Sequence, residues 1–430
     1  MEFLLRQSGD RSNPILPRLY GKGSTRGIPY IKAQDGDRWK FLSFLAAGGR
    51  YGCDGIDRVK VSGADFPEFD GSSVRQWRFH PGTRSTGYGD AVQGRPEFWP
   101  ELDLVFSYKS YIEGLLPEGE DDPNNLEIFM RGLKLMDYSI DVNGNLQKET
   151  PVFSANNSLA SLDVLREVGK MPLTRFNRWA DSWIEFRDVC NEELEWNKGS
   201  EVISVPRYDA HIPFSQQIDP TTAFEAIMLR APGCGWQDVN GGVRILTTPD
   251  REPVHRFTFD PTQFIKLSNI AKNSFSGTPR APEDIYNYLI FSYRDIESDV
   301  YEEKFIDEDR AELRDMAGGI LNQLGPIELG LMYESLAQRI AKSMVRLLCD
   351  APYTRQFDLK GQMDSYHVAK LDNVEITHDS IDVRETEPLT ARVLKETFEP
   401  KKGERSFTLQ LIDPDNPYYR DTDHGPKQNP

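Results

Sequence analysis

The stretch from Asp141 to Leu165, DVNGNLQKETPVFSANNSLASLDVL, contains a turn and a helix start that together decide the fold. Asn143-Gly144 predicts a hairpin, because an Asn-Gly pair accepts the positive φ angles of a tight turn. After the hairpin, leucines recur at the spacing of one helix face, at Leu159, Leu162 and Leu165. The stretch therefore predicts two antiparallel strands followed at once by a helix.

The residues before this stretch, 14–150, are typical of a β-rich domain. Apolar and β-branched runs bounded by Gly and Pro predict strands at Trp39–Leu45, Gly55–Gly63 and Leu126–Tyr138. Two stretches, 81–97 and 117–125, are polar, contain Pro and Gly, and are too long for tight turns. We expect them to be mobile or partner-bound loops.

The residues after it alternate between helices and strands. A second helix is predicted from Phe176 to Glu193 and a strand from Ser204 to Pro213. A helix from Pro220 to Arg230, with Asp219 as its N-cap, is followed by a hairpin over 235–247. From residue 204 onwards this order predicts a β–α–β–β unit.

The last third of the chain again mixes strands and helices. Tyr286–Tyr293 predicts a strand, the acidic run Glu297–Asp315 a solvated loop, and residues 328–348 a helix. Further strands are predicted at Tyr353–Leu359, Asn373–Thr377, Leu389–Leu394 and Ser406–Ile412. Residues 413–430 have the composition of a flexible tail.

The whole pattern predicts an α+β, β-rich fold of several domains. A chain of 430 residues exceeds what one hydrophobic core supports. The predicted divisions are an N-terminal arm (1–19), a first β-rich domain (20–150), a helical segment (151–203), a second α+β domain (204–385), C-terminal strands (386–412) and a flexible tail (413–430).

The composition argues against one class of function and indicates a compartment. A formal charge of −17 disfavours a protein that grips nucleic acid by its phosphates, which requires clustered Lys and Arg. The four cysteines lie far apart without zinc-ligand spacing and predict buried thiols in a reducing cytoplasm. We find no signal-peptide pattern and no stretch near ~18 apolar residues, so we expect no stable membrane insertion.

We find no catalytic or ligand-binding motif in the sequence. The six histidines lack metal-ligand spacing, and acidic pairs such as Glu192-Glu193 are typical of a solvated surface. Thr150 stands where a calcium loop beginning at Ser139 would need Glu. Trp179 and Trp183 are one helical turn apart beside other apolar positions and are predicted to be core. We predict no enzyme, no metal and no cofactor.

Several segments resemble, in order, the central tail hub, or tip attachment protein J, of long-tailed bacteriophages. The core of this family is shared with gene transfer agents. The resemblance begins at Tyr20–Pro29 and is strongest where a hairpin leads into Phe153–Leu165, with Ser158 at the usual Pro position; an Asn/Ser pair there can cap the helix. The positions that carry it are structural, and we call them the signature positions: Asn157, Leu159, Leu162, Leu165, Cys190, Tyr286, Asn287, Asp372 and Val374.

The resemblance implies barrel-like hub domains and a homotrimer that closes the distal end of a tail tube. Three copies of two similar domains would match a six-fold ring above them. The implied partners are the distal tail (tube-end ring) protein, the tape measure protein, and tail fibres or other tip proteins; DNA would pass at ejection. The implied location is the virion tail tip, after assembly in the host cytoplasm. Tyr418 and Tyr419 are the candidate fibre contact, because aromatic residues are favoured at binding hot spots.

Three alternatives stay open at this point. A tail-associated cell-wall or polysaccharide hydrolase would need a paired-acid or zinc constellation. A host-carbohydrate-binding adhesin would need exposed aromatic residues in the loops at 81–97 and 117–125, where Tyr88 is one. A hub from a contractile tail would be distinguished only by its neighbours.

Overall fold

The chain forms two compact units, each assembled from two stretches of sequence. In this computed structural model the first unit comprises residues 1–173 and 208–229, and the second comprises 174–207 and 230–430. The finer domain bounds given above stay predictions. The structure describes residues 16–34, 38–68, 76–82, 108–117, 125–198, 201–214, 218–231, 234–239, 242–247, 255–258, 270, 274, 276–278, 285–349, 356–361, 365, 367–370, 372–377, 389–399 and 404–411.

The first unit is mainly β-structure. Its strands are β1 (Arg18–Tyr20), β2 (Lys22–Thr25), β3 (Ile28–Gln34), β4 (Arg38–Ala47), β5 (Cys53–Val61), β6 (Ala64–Asp65), β7 (Gln76–His80), β8 (Lys109–Pro117), β9 (Leu126–Ile140), β10 (Leu146–Phe153) and β13 (Ile212–Phe214). Its helices are α1 (Asn157–Asp163), which continues into a π-helical turn (Val164–Val168), and α4 (Pro220–Met228).

Two antiparallel sheets organise the first unit. One has the order β3-β4-β8-β7, and the other β10-β9-β5-β6, with β2 also paired to β9. The 15-residue strand β9 thus pairs with three other strands. In the β9–β10 hairpin, Asp141 Oδ1 accepts the N–H groups of Asn143 and Asn145, each at 2.8 Å, and Gly144 has φ +78°. The predicted hairpin is confirmed.

The second unit mixes sheets with longer helices. Its helices are α2 (Thr174–Asn177), α3 (Ala180–Asn191), α5 (Ala311–Met316) and α6 (Glu334–Cys349). Its strands are β11 (Glu193–Lys198), β12 (Glu201–Pro206), β14 (Gly235–Val239), β15 (Gly242–Leu246), β16 (His255–Thr258), β17 (Ser276–Thr278), β18 (Tyr288–Asp295), β19 (Glu303–Asp309), β20 (Gln323–Met332), β21 (Gln356–Gly361), β22 (Asn373–Thr377), β23 (Leu389–Glu399) and β24 (Glu404–Leu411).

Two apolar clusters lie in the second unit. The sheet β16-β22-β23-β24-β21-β17 buries a cluster that includes Phe357, Val374, Val393 and Phe407. The sheet β19-β18-β20 packs with α6 around a second cluster that includes Leu289 and Phe291 of β18. The hairpins β11–β12 and β14–β15 complete the unit. The predicted fold class is confirmed: the chain is α+β, β-rich and multi-domain, with one half-barrel.

The acidic run Glu297–Asp315 does not form the predicted loop. It contains β19 and α5, because pairing with β18 organises it into an edge strand. Successive side chains of β19 point to opposite faces of the sheet. On one face Ile306 packs against the cluster formed with α6, which we call the α6 cluster. On the other face Phe305 and its acidic neighbours are exposed to solvent. A strand can thus be acidic when only one of its faces is buried.

Two predicted helices have different bounds. The helix predicted over 176–193 is split into α2 and α3 and ends at Asn191, and the β11–β12 hairpin follows. The helix predicted over 328–348 begins only at Glu334, because β20 extends to Met332. Most of the loops predicted at 81–97 and 117–125, and the tail 413–430, lie outside the described residues. Within the described part of the chain, no helix combines the length and apolar content needed to cross a bilayer.

Candidate functional site

The start of α1 is capped by Asn156. Its Oδ1 accepts hydrogen bonds from the backbone N–H groups of Ser158 at 2.9 Å and Leu159 at 3.3 Å. A proline at 158 would have no N–H to donate. Ser158 is therefore compatible with this helix start because its N–H takes part in the cap.

The signature residues of α1 and of the π-helical turn that follows it are buried. Leu159, Leu162 and Leu165 are each less than 5% exposed. Asn157 is fully buried, and its Nδ2 donates to the carbonyl of Ile227 in α4 at 3.4 Å. These positions hold α1 in the core of the first unit and offer no surface for a ligand.

A largely buried triad, an ion pair and a tyrosine, connects α1 to the first strand. Asp163, the last residue of α1, accepts at Oδ2 from Arg18 Nη2 and from the Tyr20 hydroxyl, both at 2.7 Å. Burial raises the pKa of Tyr20 well above its ordinary value, and the charge of Asp163 raises it further. Burial opposes the charge on Arg18, but attraction to Asp163 and hydrogen bonds to Tyr20 and Asp163 outweigh it, so the pKa of Arg18 is also raised. The phenol therefore stays protonated and the guanidinium charged.

A second buried polar contact joins the β1–β2 turn to the segment before β13. The Lys22 backbone N–H donates to His211 Nδ1 at 2.8 Å, so Nδ1 carries no proton and the ring proton is on Nε2. Nε2 lies 3.4 Å from Asp209 Oδ2, with both side chains at most 5% exposed. Gly21 has φ +61°, and a Cβ there would lie 2.3 Å from His211 Nδ1. The turn thus requires glycine both for its backbone conformation and for space.

The buried pair His80 and Glu113 lies in the β7–β8 part of the first unit. His80 Nε2 is 2.7 Å from Glu113 Oε1, and Glu113 is fully buried. The His80 ring stacks on Tyr111 with centroids 4.2 Å apart. Burial, and then the charge of Glu113, raise the pKa of Tyr111 above its ordinary value.

In the second unit, Tyr286 and Asn287 precede β18. Tyr286 packs against the α6 cluster. Asn287 is fully buried, donates from Nδ2 to the carbonyl of Ile320 at 2.9 Å and accepts at Oδ1 from the N–H of Asn322 at 2.9 Å. Asn287 therefore fixes the loop that enters β20.

The remaining signature residues also stabilise local structure. Cys190 of α3 is 1% exposed and Val374 of β22 is fully buried. Asp372 closes a turn: its Oδ2 accepts the N–H of Ala369 at 2.8 Å, and its carbonyl accepts the N–H of Val393 at 3.0 Å. The signature positions thus determine packing and turns.

The two tryptophans of the α3 region differ in burial. Trp183 is fully buried and donates from Nε1 to the carbonyl of Val243 at 2.9 Å, so its predicted place in the core is confirmed. Trp179 is half-buried, with the Arg244 guanidinium 5.0 Å from its ring centroid. Trp179 is predicted to lie in the core, and the structure places it at the edge of the core with part of its side chain exposed.

The described residues contain no group of three or more His, Cys, Asp or Glu side chains arranged to hold a metal ion. Tyr418 and Tyr419, the candidate fibre contact, lie outside the described residues.

Sequence reasoning missed Arg18, Asp163 and His211, whose partners are far apart along the chain. Only the contact of His211 has a local signal in the sequence, because Gly21, the glycine it lies against, marks a turn.

The exposed surface of the second unit contains a short apolar loop. Met316, Ile320 and Leu321 are 63%, 56% and 53% exposed, within six consecutive positions. The acidic run Glu297–Asp315 precedes them directly. This juxtaposition of exposed apolar side chains and carboxylates is the clearest candidate for a contact surface in the described residues.

Comparison with known proteins gives matches only among solved structures. No family model matches the chain, and no curated protein does. A chain in the structure of the virion of a native gene transfer agent particle is similar, with a TM-score of 0.60 and 12% identity, over 95% of this chain and 86% of that chain. At this identity the similarity shows a shared fold.

Two further structures are similar at lower scores. The tail protein from Neisseria meningitidis MC58 has a TM-score of 0.35 and 9% identity, over 96% of this chain and 100% of that one. The prophage tail protein gp18 from Listeria monocytogenes EGD-e has a TM-score of 0.29 and 8% identity, over 93% of this chain and 89% of that one. Scores this low carry no argument. The chain thus shares its fold with a component of a gene transfer agent virion.

Proposed function

We propose that this chain is a structural protein of a phage-like tail, the hub that closes the distal end of the tail tube as a homotrimer. One observation carries the proposal: the fold extends over 95% of the chain onto a protein of a gene transfer agent virion. The likeness covers residues of both compact units.

The signature positions stabilise the fold on which this proposal rests. Leu159, Leu162, Leu165, Cys190 and Val374 are all buried, as expected for positions that maintain a scaffold. The proposal assigns the chain no reaction.

The proposed partners are the tube-end ring protein, the tape measure protein and the tail fibres or other tip proteins. Three copies would each contribute a formal charge of −17. An acidic passage would repel the phosphates of DNA during ejection and keep it from adhering. Tyr418 and Tyr419 are proposed to contact the fibre.

Immunogold electron microscopy tests the placement. Antibodies raised against the purified chain should label tailed particles at the distal end of the tail. Label along the tube, label on the capsid, or the absence of the chain from purified particles would contradict the proposal.

A further inference from the structure

The loop from Met316 to Leu321 is held in one conformation by its backbone. The N–H of Gly319 donates to the carbonyl of Arg314 at 2.9 Å, and the N–H of Gly318 to that of Asp315 at 3.1 Å. This is the paired hydrogen bonding of a Schellman helix end, with Gly318 at φ +69° and Gly319 at φ +85°. The two glycines thus turn the chain out of α5 in a defined direction.

The same loop is fixed from behind by a buried residue. Asn287, fully buried, donates from Nδ2 to the carbonyl of Ile320 at 2.9 Å. Leu313 and Ala317, each 8% exposed, are the residues of this segment that turn inward. The loop therefore presents its other large apolar side chains outward on an ordered support.

The helix end has a glycine at the position that could have covered it. In a Schellman motif the C″ residue commonly packs an apolar side chain back on the helix, and here C″ is Gly319. Ile320 and Leu321, which follow it, are 56% and 53% exposed, and Met316 is 63% exposed. Grouped exposed apolar side chains on an ordered support are typical of a contact site.

The surrounding charge selects the partner. The run Glu297–Asp315 contains nine carboxylates and three basic residues, a net charge of −6 out of −17 for the chain. The three basic residues form ion pairs with acidic neighbours: Lys304 with Asp295 at 2.6 Å, Arg310 with Glu312 at 2.6 Å, and Arg314 with Asp309 at 3.2 Å. Nucleic acid would be repelled by this charge, and another copy of this chain, with its formal charge of −17, is a poor source of a basic surface.

We infer that the Met316–Leu321 loop is the docking site for a different tail protein, one with an apolar pocket rimmed by Lys and Arg. This inference rests on the proposed function, which supplies the set of candidate partners. The pocket would receive Met316, Ile320 and Leu321, and its basic rim would face the acidic run. Apolar contact supplies affinity, and the charges supply orientation and selectivity.

The test uses the full chain and the individually purified proteins encoded by the genes on either side of its own. Binding is measured by biolayer interferometry for the wild type, for Met316→Ser/Ile320→Ser/Leu321→Ser, and for the matched control Val142→Ser/Val202→Ser/Leu229→Ser. The control residues are 101%, 62% and 75% exposed. A third variant, Asp307→Asn/Asp315→Asn, removes two carboxylates of the acidic run. Circular dichroism confirms that each variant is folded.

We expect one basic protein to bind the wild type. The loop variant should weaken binding more than about tenfold, as truncation of hot-spot side chains does. The control variant should bind as the wild type does. The charge variant and rising salt should each weaken binding, since salt screens exposed charges beyond about 8 Å at physiological strength.

Three results would overturn the inference: equal binding by the loop and control variants, an acidic partner, or a loop variant that loses self-association. Its failure is separable from that of the proposed function. A chain that labels the tail tip but binds its partners equally well with the loop variant leaves the hub role intact. A chain absent from the tail removes both.

Discussion

Asn287 and Asn322 hold each other through two hydrogen bonds in opposite directions. The Asn287 side-chain oxygen accepts the N–H of Asn322 at 2.9 Å, and the carbonyl of Asn322 accepts the N–H of Asn287 at 3.0 Å. Because Asn287 is fully buried, these bonds are shielded from water. The pair fixes the start of β18 against the loop that leads into β20.

Replacement of Asn287 by Ala should destabilise the second unit. The N–H of Asn322 and the carbonyl of Ile320 would lose their partner, at a cost of about 1–3 kcal/mol in unfolding free energy. Urea denaturation followed by fluorescence measures this. Asn125→Ala, at an exposed position, is the control, and an equal effect of the two substitutions would contradict the assigned role.

Replacement of Asp163 by Asn should destabilise the first unit. It would leave the Arg18 guanidinium, whose side chain is 17% exposed, without its counter-charge. Breaking a largely buried pair costs about 3 kcal/mol. Asp57→Asn breaks a more exposed pair with Arg131, with side chains 30% and 37% exposed, and should cost less than about 1 kcal/mol. A larger effect at Asp57 than at Asp163 in urea denaturation would refute this account of the triad.

Substitution of two glycines distinguishes the cost of backbone strain from the cost of a steric clash. Gly21 and Gly63 have φ +61° and +84°, but a Cβ would lie 2.3 Å from His211 Nδ1 at Gly21 and would meet nothing within 4 Å at Gly63. Gly63→Ala should cost about 1–2 kcal/mol from its left-handed backbone alone. Gly21→Ala should cost more, because His211 must move. Equal thermal unfolding midpoints for the two variants would contradict this account, because they would show that the clash with His211 adds nothing to the loss of stability.

The cysteines should react with alkylating reagents in a defined order. Burial raises the pKa of the Cys53 thiol to about 12, so almost none is thiolate at pH 8. Cys190 and Cys349 are also buried, whereas Cys234 is half-buried. Mass spectrometry after iodoacetamide treatment of the native protein should find Cys234 modified first. Early labelling of Cys53 would contradict its burial.

The parts of the fold that could be predicted have local signals. Asn143-Gly144 predicts the β9–β10 hairpin, and Asp219-Pro220 predicts the start of α4, where Asp219 Oδ2 accepts the N–H of Thr222 at 3.0 Å. Each signal acts within a few residues and does not depend on the rest of the chain.

The parts that could not be predicted depend on distant partners. β19 has an acidic sequence, and its strand conformation comes from pairing with β18. Asp163 is 145 residues from Arg18, so nothing near Asp163 predicts the pair. The segment 208–229 joins the first unit partly through β1–β13 pairing. Tertiary context of this kind overrides local propensity.

The most direct test of the central claim is electron microscopy of the purified full-length chain. Class averages of negatively stained particles should show a closed ring with three-fold symmetry, with a mass by light scattering of three times 49.1 kDa. Particles of a single 49.1 kDa chain, both alone and with the tube-end ring protein added, would contradict the hub assignment.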